Sequence, residues 1–483
     1  MKTENKKNNI PESWTMRRLG DVATINPTES LKKGKVTKYV AMENIEPFTR
    51  RISNFELKEF NGGMKFRNGD TLFARITPCL ENGKTSFVDI LENDEIGFGS
   101  TEFIVFREKE SLSDKKFLYY LSLSPNLRDI AIRLMTGSSG RQRVQTNLFI
   151  NEHFIIPPLN EQREIASVLS SFDDKIELLR EQNKTLEAIA QAIYKRWFVD
   201  LEFPATEPKN SATIEDEQQP KADGVVFNTL QLKGYKSSGG KMVKSELGEI
   251  PEGWEVGKIK DLIDILPGFA FSSADFSKEG QYKLVTIKNV QDRYFNPKTK
   301  DNLKKLPKKM PDYCILESGD ILISLTGNVG RICLANGKDY LLNQRVAKLR
   351  PKNENDHAFT YLLFLQDSIF SLIQNTASGT AQQNLSPIQL KEINIIIADR
   401  KILDKFGIVA NKLIKKIKNN ISQIQTLSAL RDSLLPKLMS GKIRVPVKNE
   451  AETTPASYGC HPSLKGGELE ESGLISEKDE GNK

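Results

Sequence analysis

The chain has 483 residues, 38% of them hydrophobic, with 70 Lys and Arg against 63 Asp and Glu, a formal net charge of +7. That length allows two to four domains, and the apolar content is ordinary for a soluble chain with polar linkers. No apolar run approaches the roughly 18 residues of a membrane span. The N-terminus, Met1-Lys2-Thr3-Glu4-Asn5-Lys6-Lys7, has no apolar stretch behind it, so no signal peptide is expected. Cys79, Cys314, Cys333 and Cys460 show no paired spacing, which predicts a reducing, cytoplasmic setting without disulfides or zinc. The mild basic excess is compatible with a polyanion partner but does not identify one.

In chain order, residues 1–159 are predicted as a first α+β domain with a largely antiparallel sheet. Its β-type runs, Thr71 to Ile76 and Glu102 to Phe106, are bounded by Gly, Asn and Asp turn signals. A helical stretch is expected from about Asp114 to Leu134. Pro157-Pro158 closes this domain, and Asn160 is the expected N-cap of a long helix spanning 160–203. Its seam, Ile165, Leu169, Phe172, Ile176, Leu179, Asn183, Leu186, Ala190, Ile193 and Trp197, steps by four and three, as in a coiled coil. Some 35 helical residues would be on the order of 50 Å long. A polar linker is expected over 204–246. A second domain follows over 247–398, a second long helix over 399–445, and a disordered tail over 446–483. The second seam is Phe406, Ala410, Leu413, Ile417, Asn420, Ile424, Leu427, Arg431, Leu434 and Leu438, every position displaced from its first-helix counterpart by one constant interval. Pro436 is expected to break or kink this helix near its end, with Gly441 as its C-terminal stop.

The two halves are copies. Ile10-Pro11-Glu12-Ser13-Trp14 is answered by Ile250-Pro251-Glu252-Gly253-Trp254. Gly69-Asp70-Thr71-Leu72 is answered by Gly319-Asp320-Ile321-Leu322, and Phe117-Leu118-Tyr119-Tyr120-Leu121 by Phe359-Thr360-Tyr361-Leu362-Leu363. The period is too long for a solenoid, so this is a tandem duplication of whole domains. Two similar domains can read two half-sites on something extended, and DNA is the obvious polymer.

Several catalytic signatures are missing. There is no Asn-Pro-Pro-Tyr or Asp-Pro-Pro-Tyr run for methyl transfer and no Gly-rich dinucleotide turn. Gly83-Lys84-Thr85 imitates the end of a P-loop, but Pro78 stands where that loop needs Gly. His153, His357 and His461 fit no ligand spacing. Glu207-Pro208-Lys209 lies in the linker and completes no nuclease cluster. These absences favour a binding protein.

Polar glycine loops occupy the same place in both copies. One runs Thr136-Gly137-Ser138-Ser139-Gly140-Arg141-Gln142-Arg143, the other Thr376-Ala377-Ser378-Gly379-Thr380-Ala381-Gln382-Gln383-Asn384. Glycine lets backbone N–H groups approach phosphate, Arg can read guanine, and Gln or Asn can read adenine. A plain surface turn is the competing reading. A second pair of loops follows the Gly-Asp turns: Arg75 with Lys84 in the first copy, Thr326, Asn328 and Arg331 in the second. Gly-Asp itself is read as architecture. Lys288, Asn289, Arg293 and Tyr294 form a further polar, basic stretch, for which solvated surface competes with DNA contact. Arg180, Lys184, Lys195, Lys412, Lys415, Lys416 and Lys418 lie off the seams, as solvated side chains or a partner surface. If a pseudo-twofold axis crosses the seam midpoint, Asn183 faces Asn420 and Leu179 faces Ile424; a paired Asn would fix register.

The chain resembles the specificity subunit of type I restriction-modification systems, from about Ile10 to Val445. The carriers are Ile10 to Trp14, Gly69-Asp70 with Phe73-Ala74-Arg75, Ile156-Pro157-Pro158-Leu159-Asn160-Glu161-Gln162, Trp197-Phe198-Val199-Asp200, Ser245 to Pro251 and Leu430 to Leu438. In the second half Ile397-Ala398-Asp399-Arg400-Lys401-Ile402-Leu403 replaces the Pro-Pro junction. The resemblance implies two target-recognition domains held by an antiparallel coiled coil, each domain reading half of a bipartite site in double-stranded DNA. It further implies a non-catalytic chain that docks two methyltransferase subunits and, with them, restriction-translocase subunits. S-adenosylmethionine would then belong to the methyltransferase subunits, and ATP and Mg to the restriction subunits. A single-chain methyltransferase-nuclease and a coiled-coil adaptor that binds no DNA are the alternatives.

Overall fold

A computed structural model describes residues 11–138, 140–204, 234–377 and 384–446. Thr15–Arg18 pairs antiparallel with His153–Ile156, Thr15 opposite Ile156, and so closes the first domain near its two ends. Inside, one four-stranded antiparallel sheet runs in the order Ala23–Ile25, Phe103–Glu108, Thr71–Ala74, Thr85–Phe87. A second runs Glu56–Glu59, Val36–Val40, Gly97–Gly99, Met64–Phe66, with one parallel pair that sets Tyr39 opposite Phe98. Thr71–Ala74 is buried along its whole length, as expected of a central strand covered on both faces.

The second domain repeats the plan. Glu255–Lys258 pairs with Asn394–Ile397 at its ends. Its four-stranded sheet runs Ile263–Pro267, Val346–Pro351, Ile321–Ser324, Ile332–Leu334, the same order with the same antiparallel sense. A five-stranded sheet, with Tyr282–Val285 parallel to Tyr340–Leu342, takes the place of the first domain's second sheet.

The Gly-Asp turns are architectural in both copies. Gly69 and Gly319 have φ of +93° and +101°, which a side chain would strain. Asp70 accepts the Arg67 N–H at 2.7 Å, and Asp320 accepts the Glu317 N–H at 2.8 Å. Each Asp also meets a cation on the neighbouring strand: Arg107 binds Asp70 through two 2.7 Å bonds, and Lys348 lies 2.8 Å from Asp320.

Four expectations need correction. The helical stretch 114–134 is two helices, Lys115–Leu123 and Pro125–Arg133. Pro125 forces Ser124 out of the helical region, and the Ser124 side chain then caps the second helix. The polar segment 204–246 is not all linker. Residues 205–233, with Glu207-Pro208-Lys209, lie outside the described residues, but Met242–Ser245 forms a hairpin with Gly248–Pro251, and Tyr235 stacks on Phe203. The hairpin is a two-stranded sheet of its own, polar on its open side and packed on the second domain's core through Ile250, Met242 and Val243. The first long helix spans Leu159–Tyr194 with Pro158 at its N-cap position, which places Asn160 inside the first turn.

The second long helix, Arg400–Met439, starts from an Asp399 cap that accepts the Lys401 N–H. It is not broken at Pro436. Leu435 and Leu438 on either side are buried in the first domain's core, and that packing outweighs one missing helical bond. The helix stops at Gly441, whose φ is +71° and whose N–H bonds the Leu438 carbonyl.

Each helix leaves its own domain and ends in the other. Ile165, Ala166 and Leu169 belong to the first domain's core, whereas Ala190, Ile193, Tyr194 and Trp197 belong to the second's. The second helix starts with Leu403, Phe406 and Leu413 in the second core and finishes with Leu435 and Leu438 in the first. The pair is therefore antiparallel. The segments beyond the helices complete this exchange. Phe198 and Phe203 pack on Trp254 of the second domain, with ring centroids 5.9 and 5.1 Å away. On the first domain, Trp14 donates to Glu161 at 2.9 Å, and Arg444 from beyond the second helix binds the same buried carboxylate at 2.8 Å.

Candidate DNA interface

Arg75 leaves the buried strand Thr71–Ala74 and ties three loops together. Its N–H bonds the Glu102 carbonyl at 2.9 Å, and its own carbonyl accepts the Val144 N–H at 2.9 Å. Its guanidinium donates to the Val144 carbonyl at 3.0 Å. Thr77 N–H bonds the Gln142 carbonyl, and Ile76 bridges Arg143. The second domain makes the same knot from different residues. Leu325 N–H bonds the Arg345 carbonyl at 3.0 Å, Leu385 N–H bonds the Leu325 carbonyl at 2.8 Å, and Thr326 bridges Asn384. The two loop families that look separate in the sequence thus form one composite surface per domain.

On the first surface Ser138 and Arg141 are exposed, and Gln142 is half-buried. Arg143 is 46% exposed and gripped by Glu102 through bonds of 2.7 to 2.9 Å. On the second surface Asn328 and Asn384 are exposed, Arg331 is half-buried with its guanidinium donating to Gln291, and the Thr326 hydroxyl is buried without a hydrogen-bond partner among the described residues. Ser139, Thr380, Gln382 and Gln383 lie outside the described residues. Lys288 is exposed on a separate loop.

Three expected DNA contacts make bonds within the fold. Asn289 is 1% exposed; its carbonyl oxygen accepts Thr286 N–H, and its amide donates to the Asn296 and Lys298 carbonyls, each at 2.9 Å. Lys84 donates one ammonium N–H to the Met42 carbonyl at 2.7 Å, and a strand, Thr85–Phe87, follows it where a P-loop would have a helix. Arg75 spends one guanidinium N–H on the Val144 carbonyl. Residues the sequence reading missed are Glu102, Gln344 and Arg345, which stand at the mouth of each knot just before the core strands Phe103–Glu108 and Val346–Pro351. The signal available was a polar triplet ahead of a strand in both copies.

Chemically, each surface offers guanidinium groups, amides and hydroxyls on a rigid base. Guanidinium suits phosphate or guanine, amides suit adenine, and a carboxylate such as Glu102 suits the cytosine amine. Among the described residues no group of three or more His, Cys, Asp or Glu could hold a metal ion, and no helix is long and apolar enough to cross a membrane.

The helices hold the two surfaces in register. Asn420, fully buried, donates to the Asn183 side chain at 2.9 Å. Phe406 meets Trp197, centroids 5.6 Å apart, near one end. Towards the other, buried Asp173 receives Arg431 at 2.5 Å and the Tyr120 hydroxyl at 2.6 Å.

Residues 11–188 and 251–423 each match the family described as the type I restriction modification DNA specificity domain. The chain belongs to that family. It carries the family domain twice, and each match takes in a globular domain and most of the long helix that follows it. Its function is therefore DNA specificity in a type I restriction-modification system. Similar curated proteins include the HindI specificity subunit of Haemophilus influenzae, 26% identical over 432 residues, 81% of this chain and 90% of that one. The MjaVIII specificity subunit of Methanocaldococcus jannaschii is 26% identical over 463 residues, 90% of this chain and 94% of that one. Among solved structures, a type I S subunit from M. genitalium aligns over 91% of this chain and 98% of its own, at 17% identity and a TM-score of 0.49.

Proposed function

We propose that this specificity subunit reads a bipartite double-stranded DNA site, one half with each composite loop surface, and that the antiparallel helices set the gap. One observation carries this reading: the two domains share sheet order and loop knot, yet differ in nearly every side chain at the knot. Arg141, Gln142, Arg143 and Glu102 on one side face Asn328, Asn384, Gln344 and Arg345 on the other. A common frame with divergent tips is what two readers of different half-sites need.

In this reading the chain performs no chemistry. Two methyltransferase subunits dock on the pseudo-twofold scaffold and supply S-adenosylmethionine, while restriction-translocase subunits supply ATP and Mg. Exposed Lys412, Lys415 and Lys416 on the second helix are candidate docking residues. The test is methylome sequencing of cells that express the chain with its methyltransferase subunits. The expected motif has two defined parts around an undefined gap. A continuous motif would overturn the two-reader reading, and methylation by the chain alone would overturn the non-catalytic one.

A further inference from the structure

Besides the helices, the two recognition domains touch each other directly. Phe48 of the first domain lies between two cations: the Arg128 guanidinium of its own domain and the Lys298 ammonium of the second, each 4.7 Å from the ring centroid. Both sides of this contact are braced. Phe48 N–H bonds the Gly83 carbonyl at 2.9 Å, Pro47 bridges Lys84, and Lys84 in turn holds the Met42 carbonyl. In the second domain buried Asn289 holds the Lys298 carbonyl, and the Tyr340 hydroxyl holds that of Pro297 at 3.0 Å. Lys84 and Asn289, which look like DNA contacts in sequence, instead stiffen the two loops that meet.

Both loops also grip the first helix. Asp174, Glu177 and Glu181 recur at helical spacing; Arg50 pairs with Asp174, and Arg51 reaches Glu181 at 4.0 Å. From the other side Arg293, at φ +59° in a hairpin turn, lies 3.3 Å from Glu187, which Gln191 steadies at 2.9 Å.

We infer that the loops 46–51 and 291–298 form a strut between the recognition domains, and that Phe48, Lys298, Arg293 and Glu187 are positioning residues that restrict the DNA spacer the subunit accepts. This rests on the bipartite reading above. A coiled coil fixes separation along its axis but bends, and two domains joined only through it could swing. A second contact, away from the axis, removes that freedom. One base pair of spacer is a step of about 3.4 Å, so small swings matter.

The test uses the full chain with its methyltransferase subunits. The double variant Arg293→Glu with Lys298→Glu changes two exposed side chains, so the second domain should fold unchanged. It should keep both half-sites, while discrimination against spacers one base pair longer or shorter falls about tenfold, the factor that roughly 1.4 kcal/mol supplies. Adding Glu187→Arg to Arg293→Glu alone should narrow the spacer again. In parallel, pulsed EPR between spin labels at Glu59→Cys and Lys305→Cys, with Cys79 and Cys460 replaced by Ser, should show a broader inter-domain distance distribution in the double variant. Unchanged spacer discrimination, or an unchanged distribution, overturns the strut. If the native motif is not bipartite, the half-site reading fails, and the distance distribution alone still decides whether the strut exists.

Discussion

Arg141 and Arg143 lie two positions apart but meet different surroundings. Arg141 is exposed, and no ion pair among the described residues holds its side chain, so it is placed to neutralise a phosphate. Arg143 is held by Glu102 through its Nε and Nη2 atoms, which fixes the direction of the guanidinium edge left free. Arg141→Ala should lower the salt slope of DNA binding by about one unit and weaken all sequences alike. Arg143→Ala should relax one position of the motif, at roughly 1–3 kcal/mol, with a smaller change in slope. Filter binding over a salt series and methylome sequencing of each variant separate the two; if neither variant changes either measurement, the loop is only a turn. At this scale the sequence was legible in part. Loop residue types showed where the chain turns, because glycine and short polar residues there reflect backbone demands visible locally. The bonds that Asn289, Lys84 and Arg75 make within the fold were not legible, because a polar side chain that closes a loop and one that reads a base have the same chemistry. Only the partner distinguishes them, and Met42 lies 42 positions from Lys84.

The helices were far more legible than the loops, since heptad spacing is written in every turn. The resemblance supplied the antiparallel sense, and the pairing of Asn183 with Asn420 follows once the seam midpoint is taken as the axis. Unreadable were the partners beyond the seam. Glu161 joins Trp14 and Arg444 across separations of 147 and 283 positions, and no local pattern announces such a contact. Two predictions belong here. Asn183→Leu leaves the buried Asn420 amide only the weaker Gln182 contact at 3.4 Å and should cost about 1–3 kcal/mol, whereas Asn183→Leu with Asn420→Leu should be close to neutral or stabilising. Urea unfolding of both variants checks this; equal losses would show that the pair does not interact. Asp173→Ala removes the buried partner of Arg431, leaving it only the exposed Asp432 at 2.8 Å, and takes the acceptor from the Tyr120 hydroxyl; it should cost about 2–4 kcal/mol, read as a shift in urea midpoint at constant slope.

For the whole molecule, the duplicated closure makes the domains exchangeable units. Thr15–Arg18 with His153–Ile156, and Glu255–Lys258 with Asn394–Ile397, bring the ends of each domain together in one short antiparallel ladder. A cut at such a ladder leaves the helices intact, and the incoming domain must pack on Ile165, Leu169, Leu435 and Leu438 as the native one does. The coiled coil does not depend on the loop tips: its buried positions meet one another and the domain cores, far from Arg141 or Asn384. Replacing residues 19–152 with the corresponding segment of another specificity subunit should therefore rewrite one half of the methylated motif and leave the other half untouched. The gap should hold as well, provided the incoming domain keeps the contacts of Phe48 and Arg50. An incoming loop without an aromatic residue at position 48 should keep the second half-site yet accept neighbouring spacings, which ties the modularity of the readers to the contact between them. Methylome sequencing reads half-sites and gap in one experiment. A chimera that changes both halves, or neither, would show that the domains do not read independently.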